Sequence, residues 1–350
     1  MSDIAVTDAS QIDPAERRRE HRGWYWYDFA NSAFVTTTAT VLAGPYLTSV
    51  AKVAACGTSE GDCDVPLSVL GIDVSPGALY FYAITVTTIL SAFILPVVGA
   101  FADRSGTKKR LMASFAWAGS LFASLLFFVR DGNWQLGVLA MMGASLCLGA
   151  SLVVYDAILI EIATPDERDG VSSRGWAFGY VGGAILLVIN LGLLSVMDDT
   201  GAAARLCMLM AAVWWAAFTI VPFVRLRNRP PVNVEKLDGG AVGRSFGQLW
   251  HTLQHARAYP MTLLFLVAYL FFNDGVQTVI YASSVYGSEE LGFEQDVLFI
   301  AILTVQVVAV FGALLLGRLA GWEMIPPLHY RDLAAAIASV LNGWELAVRE

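Results

Sequence analysis

Long apolar runs separated by short polar segments organise this chain, at residues 24–48, 77–101, 109–129, 134–157, 175–196, 203–224, 261–283 and 296–318. At ~1.5 Å of helix rise per residue, each run is long enough to cross the ~30 Å hydrocarbon core of a bilayer. The runs are continuous rather than alternating, which selects helices over barrel strands, the two structures that satisfy their backbone inside lipid. The pattern therefore predicts an all-α membrane protein, a bundle of about eight transmembrane helices.

The longest interruption, residues 225–260, contains "RNRPP" and "LDGG" and divides six helices from two. Within it Phe246, Leu249, Trp250 and Leu253 recur at helical spacing beside Arg244, His251 and Arg257. That spacing suits either an interfacial helix lying on the membrane or a soluble linker helix. The organisation expected is a polar N-terminus at 1–23, a six-helix half at 24–224, this linker, two helices of a second half at 261–320, and an atypical tail at 321–350.

Composition agrees with the pattern: 56% hydrophobic and 15% charged residues and a mean hydropathy of +0.59 lie outside the usual soluble range. The first 23 residues carry Asp3, Asp8, Asp13, Glu16 and Glu20 and no apolar core, so they read as a polar cytosolic lead rather than a signal peptide. Placing the N-terminus in the cytoplasm leaves only Lys52, Arg130 and Arg205 outside, of 22 Lys and Arg. This bias orients the chain in a cell inner or plasma membrane. The net charge of −8 carries no information on partners, because acidic residues have little topological weight; nucleic acid is not expected as one. Cys56 and Cys63 fall in the outside loop "CGTSEGDC", where they either close a short disulfide or remain two free thiols. Cys147 and Cys207 lie within helices and read as small packing residues.

Polar residues inside the runs are the candidate chemistry, because an ionisable group at membrane depth costs a few kcal/mol and should face the bundle interior or water. Asp28, Asn31 and Ser32 share one helix face, in "WYWYDFANSAF". Asn273, Asp274, Gln277, Thr278 and Tyr281 form another polar stripe. Counted from the start of its apolar run, Asp28 is about 6 Å deep and Asp274 about 18 Å, near the bilayer centre. Asp156, next to Tyr155, falls at the cytoplasmic end of the fourth helix. Gly175, Gly179 and Gly183 repeat every four residues and flatten one face for close helix packing. Trp24, Trp26, Trp134 and Trp176 lie near run ends and read as interfacial anchors.

The loop "GAFADRSGTKKR" places Gly99, Asp103, Arg104, Gly106, Lys108 and Arg110 in a specific spacing. It resembles the signature loop of the major facilitator superfamily. Gly99 and Gly106 would permit a tight turn and close helix approach, Asp103 would cap or pair across a helix end, and the basic residues would anchor the cytoplasmic face. "YDFANSAF", "YDAILIEIATPDERDGVSSRGWAFGYVGG" and "YLFFNDGVQTVI" together resemble the vacuole-effluxer-like branch of that superfamily. The branch is named for a fungal vacuolar transporter that exports amino acids released by autophagy. The chain departs from it at Asp156, where asparagine is expected, and at Ile160, where proline is expected.

The resemblance implies alternating access between two helical halves, with helices one, four and seven lining a central cavity. Asp274, Asn273, Gln277, Asp28, Asn31, Tyr155 and Asp156 would then meet in one aqueous path as substrate or coupling residues. The function expected is secondary active transport of a small polar solute, amino acids being suggested by the resemblance alone. Protons are the expected coupling ion, carried chiefly by Asp274 and helped by Asp28 or Asp156. Besides the solute and protons, the expected partner is the lipid bilayer.

No cofactor and no metal are expected. An intramembrane enzyme would need a nucleophile or ligand cluster, whereas His21, His251, His255 and His329 all fall outside the apolar runs. The second half should echo the first, yet Gly317 is followed by Arg318, Leu319, Ala320 and Gly321 where aspartate is expected. Beyond it the best apolar stretch, Leu333–Leu341, would span only about 13 Å. Two readings follow, a shortened or frame-altered product, which is favoured, or an eight-helix protein that completes its cavity by association. A truncated, non-transporting membrane protein is the functional alternative.

Overall fold

The computed structural model describes residues 9, 12–59, 61, 63–69, 71–230 and 260–320. The expected linker helix around Phe246–Leu253 and the tail from residue 321 lie outside the described residues. Among the described residues, eight helices are long and apolar enough to cross a membrane.

The first span is one continuous rod, Pro14–Cys56. It comprises α1 (Pro14–Ala33), a π-helical segment (Phe34–Leu42) and α2 (Ala43–Cys56). The start is set chemically: the Asp13 carboxylate accepts from the N–H groups of Ala15 and Glu16 at 3.0 and 3.1 Å, and Pro14 occupies a first-turn position where its missing N–H costs nothing. The helix thus begins ten residues before the apolar run. The polar lead expected to end at residue 23 is in part the first turns of this span, and His21 belongs to the helix.

The π segment coincides with the β-branched sequence "VTTTATV". Thr36 Oγ1 donates to the Ser32 carbonyl at 2.6 Å, and Thr40 Oγ1 to that of Val35 at 3.0 Å. Such side-chain bonds compete with the backbone ladder, and π insertions concentrate at functional sites. The rod stops at Gly57, which takes φ +75° and donates its N–H to the Val53 carbonyl. Cys56 and Cys63 are joined as a disulfide, so of the two alternatives the loop is the closed one. A two-stranded antiparallel hairpin follows, β1 (Leu67–Val69) and β2 (Ile72–Val74).

The other helices are α3 (Leu79–Arg104), α4 (Lys108–Leu125), α5 (Trp134–Ile162), α6 (Pro165–Val196), α7 (Thr200–Arg225), α8 (Pro260–Glu289) and α9 (Gln295–Ala320). Several outrun their apolar stretches, because caps rather than hydropathy set helix ends. α6 starts ten residues early on a reciprocal capping box between Thr164 and Glu167. α1 packs on α6 and α7, α4 on α5 and α7, α3 on α5, and α9 on α6. The main core gathers Trp24, Tyr27, Phe34, Met112, Leu126 and Trp215.

The end of the bundle where α1 begins carries most of the charge and is tied by ion pairs. Glu20, nearly fully buried, is bound by Arg229 and accepts from the Arg227 N–H at 3.0 Å; Lys108 meets Glu161 at 2.5 Å. His21 Nε2 lies 2.8 Å from the Ile162 carbonyl. At the opposite, hairpin end, Lys52 of α2 pairs with Glu289 of α8 at 2.6 Å. The buried residues of α8 are Ser284, Val285 and Gly287, all near that end.

Candidate functional site

α1, α5 and α6 meet around a buried carboxylate. Asp28 is 5% exposed, and Tyr155 of α5 donates its hydroxyl to Asp28 Oδ2 at 2.6 Å. Trp24, one turn earlier on α1, stacks on the Tyr155 ring at 4.0 Å with planes 7° apart. Its indole N–H donates to the Tyr155 carbonyl at 3.1 Å. Tyr27 donates to Ser151 Oγ at 2.5 Å, fixing the next face of the same two helices. Trp24 is therefore a core residue at 1% exposure and not the interfacial anchor its place in the sequence suggests. The reason is that the helix extends ten residues below the apolar run.

The glycines of α6 make the close approach. A Cβ at Gly175 would sit 2.6 Å from Asp28 Oδ2, one at Gly179 2.6 Å from Ser32 Oγ, and one at Gly183 2.6 Å from Thr36 Oγ1. The four-residue repeat thus faces a file of polar side chains on the first span. α9 reaches the same file: Gln306, 7% exposed, donates from Nε2 to Thr36 Oγ1 at 3.1 Å. Asn190 of α6 donates to Thr37 Oγ1 at 3.0 Å, and its own Oδ1 has no partner among the described residues. No basic side chain pairs with Asp28 among the described residues.

The other expected residues are placed differently. Asn31 is buried but turns its amide back on its own helix, donating to the Tyr27 carbonyl at 2.8 Å. Asp156 is exposed beside buried Tyr155. On α8, Asp274 and Gln277 are exposed and Asn273 half-buried. Thr278 donates to the Asp274 carbonyl at 2.8 Å, and among the described residues no hydrogen bond or ion pair links this stripe to Asp28. Asp28 lies about 21 Å along α1 from its start at Pro14, ten residues of which precede the apolar run.

In the loop between α3 and α4, Asp103 and Arg110 are exposed while Arg104, Gly106 and Lys108 are half-buried. Gly99 comes within ordinary contact of Val153, its built Cβ 3.4 Å from Val153 Cγ1. Gly106 is not among the residues with positive φ. The turn is made instead by Ser105, whose Oγ accepts from the Thr107 N–H at 3.1 Å.

Gln306, Thr36, Thr37 and Asn190 were not singled out from the sequence. A lone amide in the apolar run of α9 was the available signal for Gln306, since buried polar groups at membrane depth demand partners.

Comparison with known proteins agrees with this architecture. The family described as "Vacuole effluxer Atg22 like" matches residues 16–345, past Gly321 where the loop pattern lapses. An MFS-type transporter of Bacillus subtilis, YxiO, is 30% identical over 310 residues, 86% of this chain and 68% of that protein. Autophagy-related protein 22-2 of Penicillium rubens is 21% identical, covering 93% of this chain and 70% of its own length. Autophagy-related protein 22 of Gibberella zeae is 23% identical, with 89% and 60% covered. With eight membrane-length apolar helices among the described residues and a family match over nearly its whole length, this chain belongs to the Atg22-like vacuole effluxer family of MFS-type membrane transporters.

Proposed function

We propose that the protein moves a small polar solute across a cell inner or plasma membrane by alternating access, with its N-terminus in the cytoplasm and protons as the coupling ion. Amino acids are the first solutes to try, because relatives carry the name of an autophagy-related effluxer family. The observation that carries the reading is Asp28: a buried carboxylate with a single hydroxyl donor, no cationic partner among the described residues, and a file of hydroxyls and an amide leading from it along the first span. A carboxylate so placed can exchange a proton when α1 and α6 part, and its Tyr155 bond supplies a second arrangement for it to leave and rejoin. Asp274, on the polar stripe of α8, is the second coupling candidate, with Asn273 and Gln277 beside it, and Asp156 the third.

A solute that stabilises the folded state raises its unfolding temperature, so a thermal screen of amino acids on purified protein identifies the cargo. Flux of that solute in proteoliposomes then tests coupling. Asp28→Asn is expected to lose acceleration by a pH gradient while retaining solute exchange. Gradient dependence preserved in both Asp28→Asn and Asp274→Asn would sink the coupling assignment, and absence of flux for every solute would sink transport itself.

A further inference from the structure

α1 carries Arg18, Arg19 and Arg22 near its start, and α7 ends on Arg225. With Ala15, these four arginines line a recess of about 370 Å³. Two features bring them together. Arg18 and Arg22 are one helical turn apart and share a face of α1. Gly23 lets α7 arrive against that helix: a Cβ there would stand 2.7 Å from Arg225 Cβ.

The acidic residues nearby are already engaged on other sides. Glu16 pairs with Arg227 at 2.7 Å, Glu20 with Arg229, and Glu167 with Arg17 at 3.3 Å. Among the described residues no carboxylate pairs with Arg18, Arg19, Arg22 or Arg225. Four like charges around one recess repel each other, and an anion between them relieves that repulsion. A topological bias requires only that cations lie at this end; it does not require four unpaired guanidinium groups converging on one space, and Lys108 at the same end has its own carboxylate. Guanidinium forks match the oxygens of a phosphate in pairs, as a lysine cannot.

We propose that this recess is a phosphate-binding site, filled by the headgroup of an anionic glycerophospholipid or by a soluble phosphate-bearing compound. Its place at the end of membrane-spanning helices is the level of lipid phosphates. This inference does not depend on the coupling role of Asp28.

The test uses the full chain in phosphatidylcholine nanodiscs, read by thermal unfolding. One arm replaces part of the lipid with phosphatidylglycerol; the other titrates inorganic phosphate against chloride at matched ionic strength. At least one arm is expected to raise the unfolding temperature, and which one does so identifies the source of the phosphate. Arg18→Gln/Arg22→Gln is expected to weaken the apparent affinity by about tenfold or more. Arg18→Lys/Arg22→Lys, which keeps the charge that guides insertion, should recover part of it. Arg168→Gln/Arg318→Gln removes two cations from the same end outside the recess and should respond as the parent does. The proposal is overturned if the parent responds in neither arm, if Arg18→Gln/Arg22→Gln responds like the parent, or if the two glutamine pairs lose the response equally.

Discussion

Tyr155 does two jobs with one side chain, offering its ring to Trp24 and its hydroxyl to Asp28. Removing the hydroxyl leaves a buried carboxylate oxygen without its donor. Tyr155→Phe is therefore expected to cost about 1–3 kcal/mol, visible as a lower unfolding temperature of the purified protein. Tyr27→Phe should cost less, about 1 kcal/mol, because Ser151 keeps its own bond to the Leu148 carbonyl at 2.7 Å. Equal losses in the two variants would show that Asp28 does not rely on Tyr155. Both residues of the pair stand out in the sequence, each as a polar position in an apolar run. Their bond does not, since it joins residues 127 positions apart. Trp24 was legible only as an aromatic at a run boundary, and the extra turns of α1 reversed its environment.

The helices themselves show how local signals and packing divide the work. A glycine every four residues along α6 announces a close contact, and α1 is the helix that fills it. Gly182, outside that repeat, is held as tightly: a Cβ there would lie 2.7 Å from the Phe29 carbonyl oxygen, a backbone atom that cannot swing aside. Gly182→Ala should destabilise by about 1–3 kcal/mol through overpacking. Gly192→Ala, on the same helix but with nothing within 4 Å of its built Cβ, should be neutral or stabilising by up to about 1 kcal/mol. Denaturation of both variants side by side checks this, and a Gly182→Ala protein as stable as its parent would mean that α1 and α6 can separate at no cost. The π segment was not legible, because its threonines also suit an ordinary buried helix; side-chain bonds to carbonyls four and five residues back mark it.

Across the molecule, closure is uneven. At the hairpin end α8 is docked by the Lys52–Glu289 pair, by Ser284 donating to the Thr40 carbonyl at 2.5 Å, and by Val285 against Gly44. Toward the other end the same helix turns apolar residues such as Phe271, 75% exposed, away from the bundle. Loss of one partly exposed ion pair is worth up to about 1 kcal/mol, so Lys52→Met should shift an opening equilibrium at the hairpin end by up to about fivefold. The thiol-labelling rate of a Val285→Cys reporter measures that shift, and an unchanged rate would remove the pair from the closing contact. By itself the sequence determined which segments are helices, their number among the described residues, the glycine repeat and the loop signature, because periodicity and hydropathy act within one segment. Tertiary structure alone decided that Asp28 meets Tyr155, that Gln306 joins Thr36, that Cys56 bonds Cys63, and that Asp274 stands apart from them. Those outcomes depend on how helices far apart in the chain are rotated and seated on one another, and interlocking side chains set that rotation.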